Sequence, residues 1–143
     1  MNIAIVGATG NVGRKILKVL ELKNFPIDKL YLVASHKSVG KKISFGDKNL
    51  EVLNLETFDF SNVQITFFSA GSKISEKYAT KAAEHSTVID NSSYFRMDPD
   101  VPLIVPEVNS HDLKNYKKKN IIANANCSVI PLVVALKPLH DLY

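Results

Sequence analysis

The sequence predicts an α/β fold: a doubly wound, mainly parallel sheet with helices on both faces. Three observations predict it. Short runs rich in Ile and Val alternate along the chain with stretches of helical periodicity, one run is apolar at nearly every position, and glycines cluster between the first strand and the first helix.

Asn2 to Val6 reads as the first strand, and Gly7, Gly10 and Gly13 follow it. From Val12 to Leu22 the apolar residues Val12, Ile16, Leu17, Val19, Leu20 and Leu22 fall at helical spacing, which predicts a helix with a broad buried face. Phe25 and Pro26 end it. Leu30 to Ala34 is a second strand, followed by a polar, Gly-containing connection from Ser35 to Lys48. Leu50 to Leu55 and Val63 to Ser69 are the next strands, and Ile65, Phe67 and Phe68 give the latter the apolar character of a strand covered on both faces, which implies parallel pairing. Tyr78, Ala79, Ala82 and Ala83 predict a helix over Ser75 to His85, and Thr87 to Asp90 a further strand. Asn91 to Lys119, with Pro99, Pro102 and Pro106, reads as irregular. Ile121 to Ala123 and Val129 to Leu139 then resume as strand and helix. Pro138 is expected to mark the end of that helix, and with no element after Tyr143 the end is read as a cut.

The 143 residues, 45% of them hydrophobic, suit one globular domain. A formal net charge of +4 is mildly basic, and its one dense run, Lys117 to Lys119, adjoins Asn120 before an apolar strand, so it reads as a solvated loop and not as a nucleic-acid patch. The single cysteine cannot form an intramolecular disulfide, which fits a reducing compartment; the cytoplasm is the expected location. MNIAIVGATG enters a strand with no basic leader, and no apolar stretch is long enough to span a bilayer, so neither secretion nor a membrane partner is expected.

Gly7-Ala8-Thr9-Gly10-Asn11-Val12-Gly13 lies between a strand and a helix, where a dinucleotide pyrophosphate needs close backbone approach and free N–H groups at a helix N-terminus. The sheet is therefore expected to be Rossmann-like, although the spacing is GxxGxxG and a bare tight turn would also use glycine. The segment after the second strand, where the adenosine ribose is read, is Ala34-Ser35-His36-Lys37-Ser38-Val39-Gly40-Lys41. It holds Lys37, Lys41 and two serines but no acid, which favours NADP over NAD; the alternative is an exposed basic loop.

Cys127, in Asn124-Ala125-Asn126-Cys127-Ser128, follows a strand at the start of a helix, a position that favours thiolate; a small buried hydrophobe is the plainer alternative. Pro131 is compatible with a helix starting near Ser128. Arg96 is a bidentate donor in the loop beyond a strand end, with Asp98 and Asp100 as nearby ionic partners in sequence. His36, His85, His111 and His140 show no metal-ligand spacing, and no metal is expected.

Taken in order, VGATGNVG, ASHKSVGK, FFSAGSKISEKYA, VIDNSSYFRMDPDVPLIVPEVN and IIANANCSVI closely resemble the N-terminal half of the aspartate-semialdehyde dehydrogenases. The resemblance covers essentially the whole chain; Val88 to Asn109 and the NCS element are its specific parts. It implies reversible, NADP-dependent interconversion of L-aspartate 4-semialdehyde plus phosphate and L-aspartyl 4-phosphate, on the route to lysine, threonine, methionine and diaminopimelate. It further implies that Thr9, Gly10, Asn11 and Val12 line the pyrophosphate, that Lys37 and Ser38 meet the 2′-phosphate, and that Gly7 and Ser35 are among the cofactor-binding residues. Ser69, Ala70 and Gly71 would border the cofactor, Arg96 hold the substrate phosphate, Asn126 help position it, and Cys127 form the acyl-thioester.

On the same resemblance, residues 1–143 form the NADP-binding domain, ending with the strand and helix that carry Cys127. The C-terminal catalytic and dimerisation domain would be absent, with its general-base histidine, substrate-binding arginine and glutamine, so the fragment is expected to bind cofactor without turnover and the full-length enzyme to be a homodimer. Lys37 stands where the family usually has arginine, which keeps the charge but loses the fork. Ala125, Val129 and Pro131 depart from the commoner NPNCSTxQ form. Two alternatives are the related N-acetyl-gamma-glutamyl-phosphate reductase, whose cysteine motif differs, and a nucleotide-binding module without catalysis.

Overall fold

The computed structural model describes residues 1–143. Strands β1 (Asn2–Val6), β2 (Lys29–Ala34), β3 (Lys42–Phe45), β4 (Lys48–Asn54), β5 (Ile65–Phe68), β6 (Thr87–Asp90), β7 (Leu103–Ile104) and β8 (Ile121–Asn124) form one eight-stranded sheet in the order β3-β4-β2-β1-β5-β6-β8-β7. All pairings are parallel except the β3–β4 hairpin. Four α-helices accompany it: α1 (Asn11–Leu22), α2 (Ser72–Ala83), the short α3 (Pro106–Asn109) and α4 (Val129–Leu142).

The two faces follow from the two-residue period of a strand. Ile3 and Ile5 of β1 pack with Leu32 of β2 and with Leu17 and Leu20 of α1. Ala4 and Val6, between them in sequence, turn to the other face and join Phe68, Val88 and the small residues Ala79, Ala82 and Ala83 of α2. The sheet is thus covered on both sides, as its apolar central strands require. No buried side-chain polar atom lacks a hydrogen-bond partner.

Four local expectations need correction. The polar connection Ser35–Lys48 holds a 3₁₀ turn (His36–Ser38) and the edge strand β3; its alternation Lys42-Ile43-Ser44-Phe45 is legible in hindsight, but four residues with exposed polar positions carry little hydrophobic signal. The stretch Asn91–Lys119, read as irregular, contains β7, α3 and a nine-residue 3₁₀ segment, Ser110–Lys118. Helix α2 begins three residues earlier than its apolar spacing suggests, because Gly71 at φ 89° takes the cap and its carbonyl accepts from Ile74 and Ser75 N–H, both at 3.1 Å. Helix α4 continues through Pro138 to Leu142: proline removes one donor, but Tyr143 N–H still reaches Leu139 O at 3.1 Å, and Lys137 pairs with Asp141 across that turn.

No helix is long and apolar enough to cross a membrane. No group of three or more His, Cys, Asp or Glu side chains is placed to hold a metal ion.

Candidate functional site

The Gly-rich turn leaves the carboxyl end of β1 and leads into α1. Gly7 adopts φ 89°, donates its N–H to Val33 O at 2.8 Å, and lies so close to the loop after β5 that a Cβ there would meet the Ser69 carbonyl carbon at 2.8 Å. Gly13 lets α1 lie against the turn itself, since a Cβ would fall 2.3 Å from Gly7 O. Gly10 caps α1 without a side-chain acceptor, there is no acid in the first turn, and the first backbone bond runs from Arg14 N–H to Gly10 O at 3.0 Å. The N–H groups of Asn11, Val12 and Gly13 are therefore free at the positive end of a 12-residue helix, which is what an anion requires.

That turn forms one wall of a cleft of about 310 Å³ lined by Val6, Gly7, Thr9, Gly10, Ala34, Ser35, Leu55, Glu56, Ser69, Ala70, Ile74 and Tyr78. The cleft opens at the carboxyl ends of β1, β2, β4 and β5, where the strand order reverses on either side of β1, the usual ligand position of an open α/β sheet. Ser69 is fixed by two bonds to Val6 O, from its N–H at 2.9 Å and its hydroxyl at 3.0 Å. Leu55, Ile74 and Tyr78 supply an apolar flank suited to a flat purine, so the residues present fit a dinucleotide at both its phosphate and its base.

A second set of residues gathers further along the same edge, at the ends of β6 and β8. Arg96 donates from Nε to Asn124 O at 3.0 Å and from Nη2 to Asn91 O at 3.2 Å, so it pairs with carbonyls and not with Asp98 or Asp100. Asn91 in turn donates to Phe68 O at 3.1 Å and accepts from the Asn124 amide at 2.8 Å. These bonds tie the ends of β5, β6 and β8 into one frame and leave the other guanidinium N–H groups of Arg96 without a partner in the chain. Asn126 accepts from Ser128 N–H at 2.9 Å and its own carbonyl accepts from Val129 and Ile130 N–H, which closes the turn into α4. Between them Cys127 is exposed, which removes the reading of it as a buried hydrophobe.

Asp90, fully buried at the end of β6, holds the loop toward Arg96: its carboxylate accepts from the hydroxyls of Ser75 and Ser92, each at 2.7 Å, and from Ser92 N–H at 3.0 Å. The far end of that loop is held ionically. Lys119 donates to Asp98 at 2.7 Å and Lys118 to Asp100 at 3.1 Å, so two of the three lysines of the basic run are paired in cis.

The Lys119 ammonium, with the Asp100 N–H, holds the Asp98 carboxyl below its ordinary value, and Asp98 raises Lys119. A lowered carboxyl contributes stability that is present above its unfolded value of about 4 and lost as pH falls through the folded one; a raised lysine contributes below about 10.4 and loses it at more alkaline pH. Lys119→Met is therefore expected to lower the melting temperature slightly near neutral pH, and the gap to the parent should close below about pH 4. Thermal melts across an acid series check this, and a gap independent of pH would rule out the pair as its cause.

The cleft brings together Gly7, Thr9, Gly10, Ser35, Ser69 and Ala70 from the sequence-predicted set. Asn11, Val12 and Gly71 sit at the heads of α1 and α2 just outside its lining, and Lys37 and Ser38 lie on the 3₁₀ turn after Ser35, with Lys37 exposed. Arg96, Asn126 and Cys127 form the separate group at β6 and β8. Sequence reasoning missed Leu55, Glu56, Ile74 and Tyr78 in the cleft and Asn91, Asn124 and Asp90 in the frame. Leu55 and Glu56 carry no local signal, since only the sheet register sets the end of β4 beside that of β2.

Fold, glycine turn and cleft together define a dinucleotide-binding α/β domain, with an exposed thiol on the same edge of its sheet. The family model of the semialdehyde dehydrogenase NAD binding domain matches residues 2–116, and the chain belongs to that family. The aspartate-semialdehyde dehydrogenase of Aquifex aeolicus is 57% identical over 142 residues, covering 97% of this chain and 42% of that protein. The crystal structure of aspartate-semialdehyde dehydrogenase II from Vibrio cholerae superposes with a TM-score of 0.96 at 51% identity, covering 99% of this chain and 42% of that one. That of the Candida albicans enzyme with NADP gives a TM-score of 0.73 at 25% identity, covering 99% of this chain and 47% of that one. The chain thus spans less than half the length of these aspartate-semialdehyde dehydrogenases.

Proposed function

We propose that this chain is the cofactor-binding half of an NADP-dependent aspartate-semialdehyde dehydrogenase, the whole enzyme interconverting L-aspartate 4-semialdehyde plus phosphate and L-aspartyl 4-phosphate. One observation carries the reading: an exposed Cys127 at the end of β8 shares a sheet edge with the cleft at β1 and β5 and with the Arg96 frame between them. The strand-order switch supports cofactor binding at that cleft, and the Candida relative with NADP supports the choice of nucleotide.

The cleft residues Gly7, Thr9, Gly10 and Ser69 would hold NADP, which would supply a hydride acceptor. The remaining chemistry falls to side chains. Cys127 is the nucleophile: its sulfur bonds to the aldehyde carbon and, once that carbon is oxidised, holds the acyl group as a thioester until a phosphate oxygen takes it and the thiolate leaves. Arg96, oriented by the Asn91 and Asn124 carbonyls, offers its remaining N–H groups to that phosphate as a charged donor set. Asn126, whose Oδ1 is committed to Ser128, has its amide NH₂ for the same anion. The base that accepts the hydroxyl proton belongs to the remainder of the enzyme. This reading makes the full-length protein a cytoplasmic homodimer of lysine, threonine, methionine and diaminopimelate synthesis.

Calorimetric titration with both nucleotides tests the cofactor assignment. NADP is expected to bind a few-fold more tightly than NAD, through the cation and hydroxyl of Lys37 and Ser38 near the 2′ position. Equal affinity, or tighter NAD binding, would remove those residues from the site.

A further inference from the structure

The segment after β2 carries no acid, yet the cleft is not free of one. Register pairs Ala34 with Asn54, so the ends of β2 and β4 lie side by side, and the residues just beyond them, Ser35 after β2 and Leu55 and Glu56 in the turn after β4, line the same cleft. Glu56 is 21 positions from Ser35 in the sequence, yet both line the same cleft. Its turn is firmly built: Leu55 is 5% exposed, Asn54 Oδ1 accepts from Glu56 N–H at 3.1 Å, and Phe58 N–H returns to Leu55 O at 3.4 Å. Lys37, the cation expected to select the 2′-phosphate, is on an exposed turn outside the cleft lining, whereas Glu56 is within it.

Resting on the cofactor reading above, we infer that Glu56 is a specificity-determining residue at the adenosine ribose, one that favours a free 2′-hydroxyl and works against Lys37. A carboxylate accepts a hydrogen bond from a ribose hydroxyl and repels a phosphate at the same carbon; both effects push toward NAD. The domain therefore sets an acid from the turn after β4 against a base from the turn after β2. The outcome is a nucleotide preference narrower than the basic loop alone would give.

Glu56→Gln removes the charge, keeps the size and leaves the backbone bond to Asn54 in place, and the side chain is exposed, so folding is not at stake. Titration of the 143-residue chain and the variant with NADP and NAD reads the effect. The expected result is tighter NADP, weaker NAD, and an affinity ratio moved about tenfold toward NADP, the size of one charge-assisted contact. An unchanged ratio with both nucleotides still binding overturns the Glu56 assignment alone. Equal weakening of both overturns it too, by placing Glu56 on the adenine or another shared group. If the parent chain binds neither nucleotide, the cofactor reading itself fails, and the assignment with it.

Discussion

In a phosphate-dependent assay with aspartate semialdehyde and NADP, the 143-residue chain is expected to read at background, even with the cofactor bound and Cys127 free to react with an alkylating reagent. On the proposed mechanism, a thiohemiacetal at Cys127 would give up hydride only as its hydroxyl proton leaves, and a positioned base contributes roughly 10² to 10⁴ in rate. The four histidines are elsewhere: His36 on the turn after β2, His85 after α2, and His111 and His140 in a groove between the Ser110–Lys118 segment and α4. With Arg96 and Asn126 proposed to hold only the phosphate, the aldehyde would also forgo much of the roughly 7 to 11 kcal/mol available from full orientation. Adding a separately produced remainder of the enzyme should restore turnover, and Cys127→Ser in that reconstituted mixture should abolish it. Turnover by the chain alone near the rate of the mixture would mean that the base is already within these residues.

Gly13→Ala is expected to be the most damaging small substitution in the turn. The added methyl would lie 2.3 Å from Gly7 O and 2.8 Å from the Ala8 Cα, and because both neighbours are backbone, no rotamer change relieves it. Helix α1 has to move away from β1, opening the contact of Leu17 and Leu20 with Ile3 and Ile5 and misplacing the free N–H groups at its head, beside the cleft. The cost is about 3 kcal/mol, the upper range for overpacking, and a melting-temperature drop of roughly 6 to 12 °C follows for a domain of this size. Nucleotide binding should fall below detection. Gly46→Ala serves as the contrast: at φ 55° it is strained, but nothing lies within 4 Å of the new methyl, so a loss of about 1 kcal/mol with binding retained is expected. Equal losses at the two positions would overturn the close packing of α1 on the turn as the source of the larger cost.

Much of the fold was legible because its signals are local. The Asn2–Val6 strand, the Val12–Leu22 helix and the glycines between them follow from side-chain periodicity and from the conformations that glycine permits, and the structure moves their limits by a residue at most. Where the period was short or interrupted, the reading weakened. β3 has four residues and an exposed edge, β7 has two, and α4 carries a proline that its flanking turns tolerate. The site divides in the same way. Gly7, Thr9, Gly10, Ser69 and Ala70 sit in motifs that imply their own geometry, while Glu56, Asn91 and Asn124 sit in none.

The amino-acid sequence by itself determined the order of the longer strands and helices, the glycine turn at Gly7–Gly13 and the placing of a thiol between a strand and a helix, since each depends only on neighbours within a few residues. Only the tertiary structure decided that Glu56 shares a wall with Ser35, that Arg96 bonds to carbonyls and not to Asp98, that Lys119 takes Asp98 instead, and that Cys127 is exposed. The physical reason is the parallel register. It sets side by side strand ends that are tens of residues apart, and which polar groups then meet depends on pairings such as Ala34 with Asn54 and Asp90 with Ala123, which no local periodicity encodes.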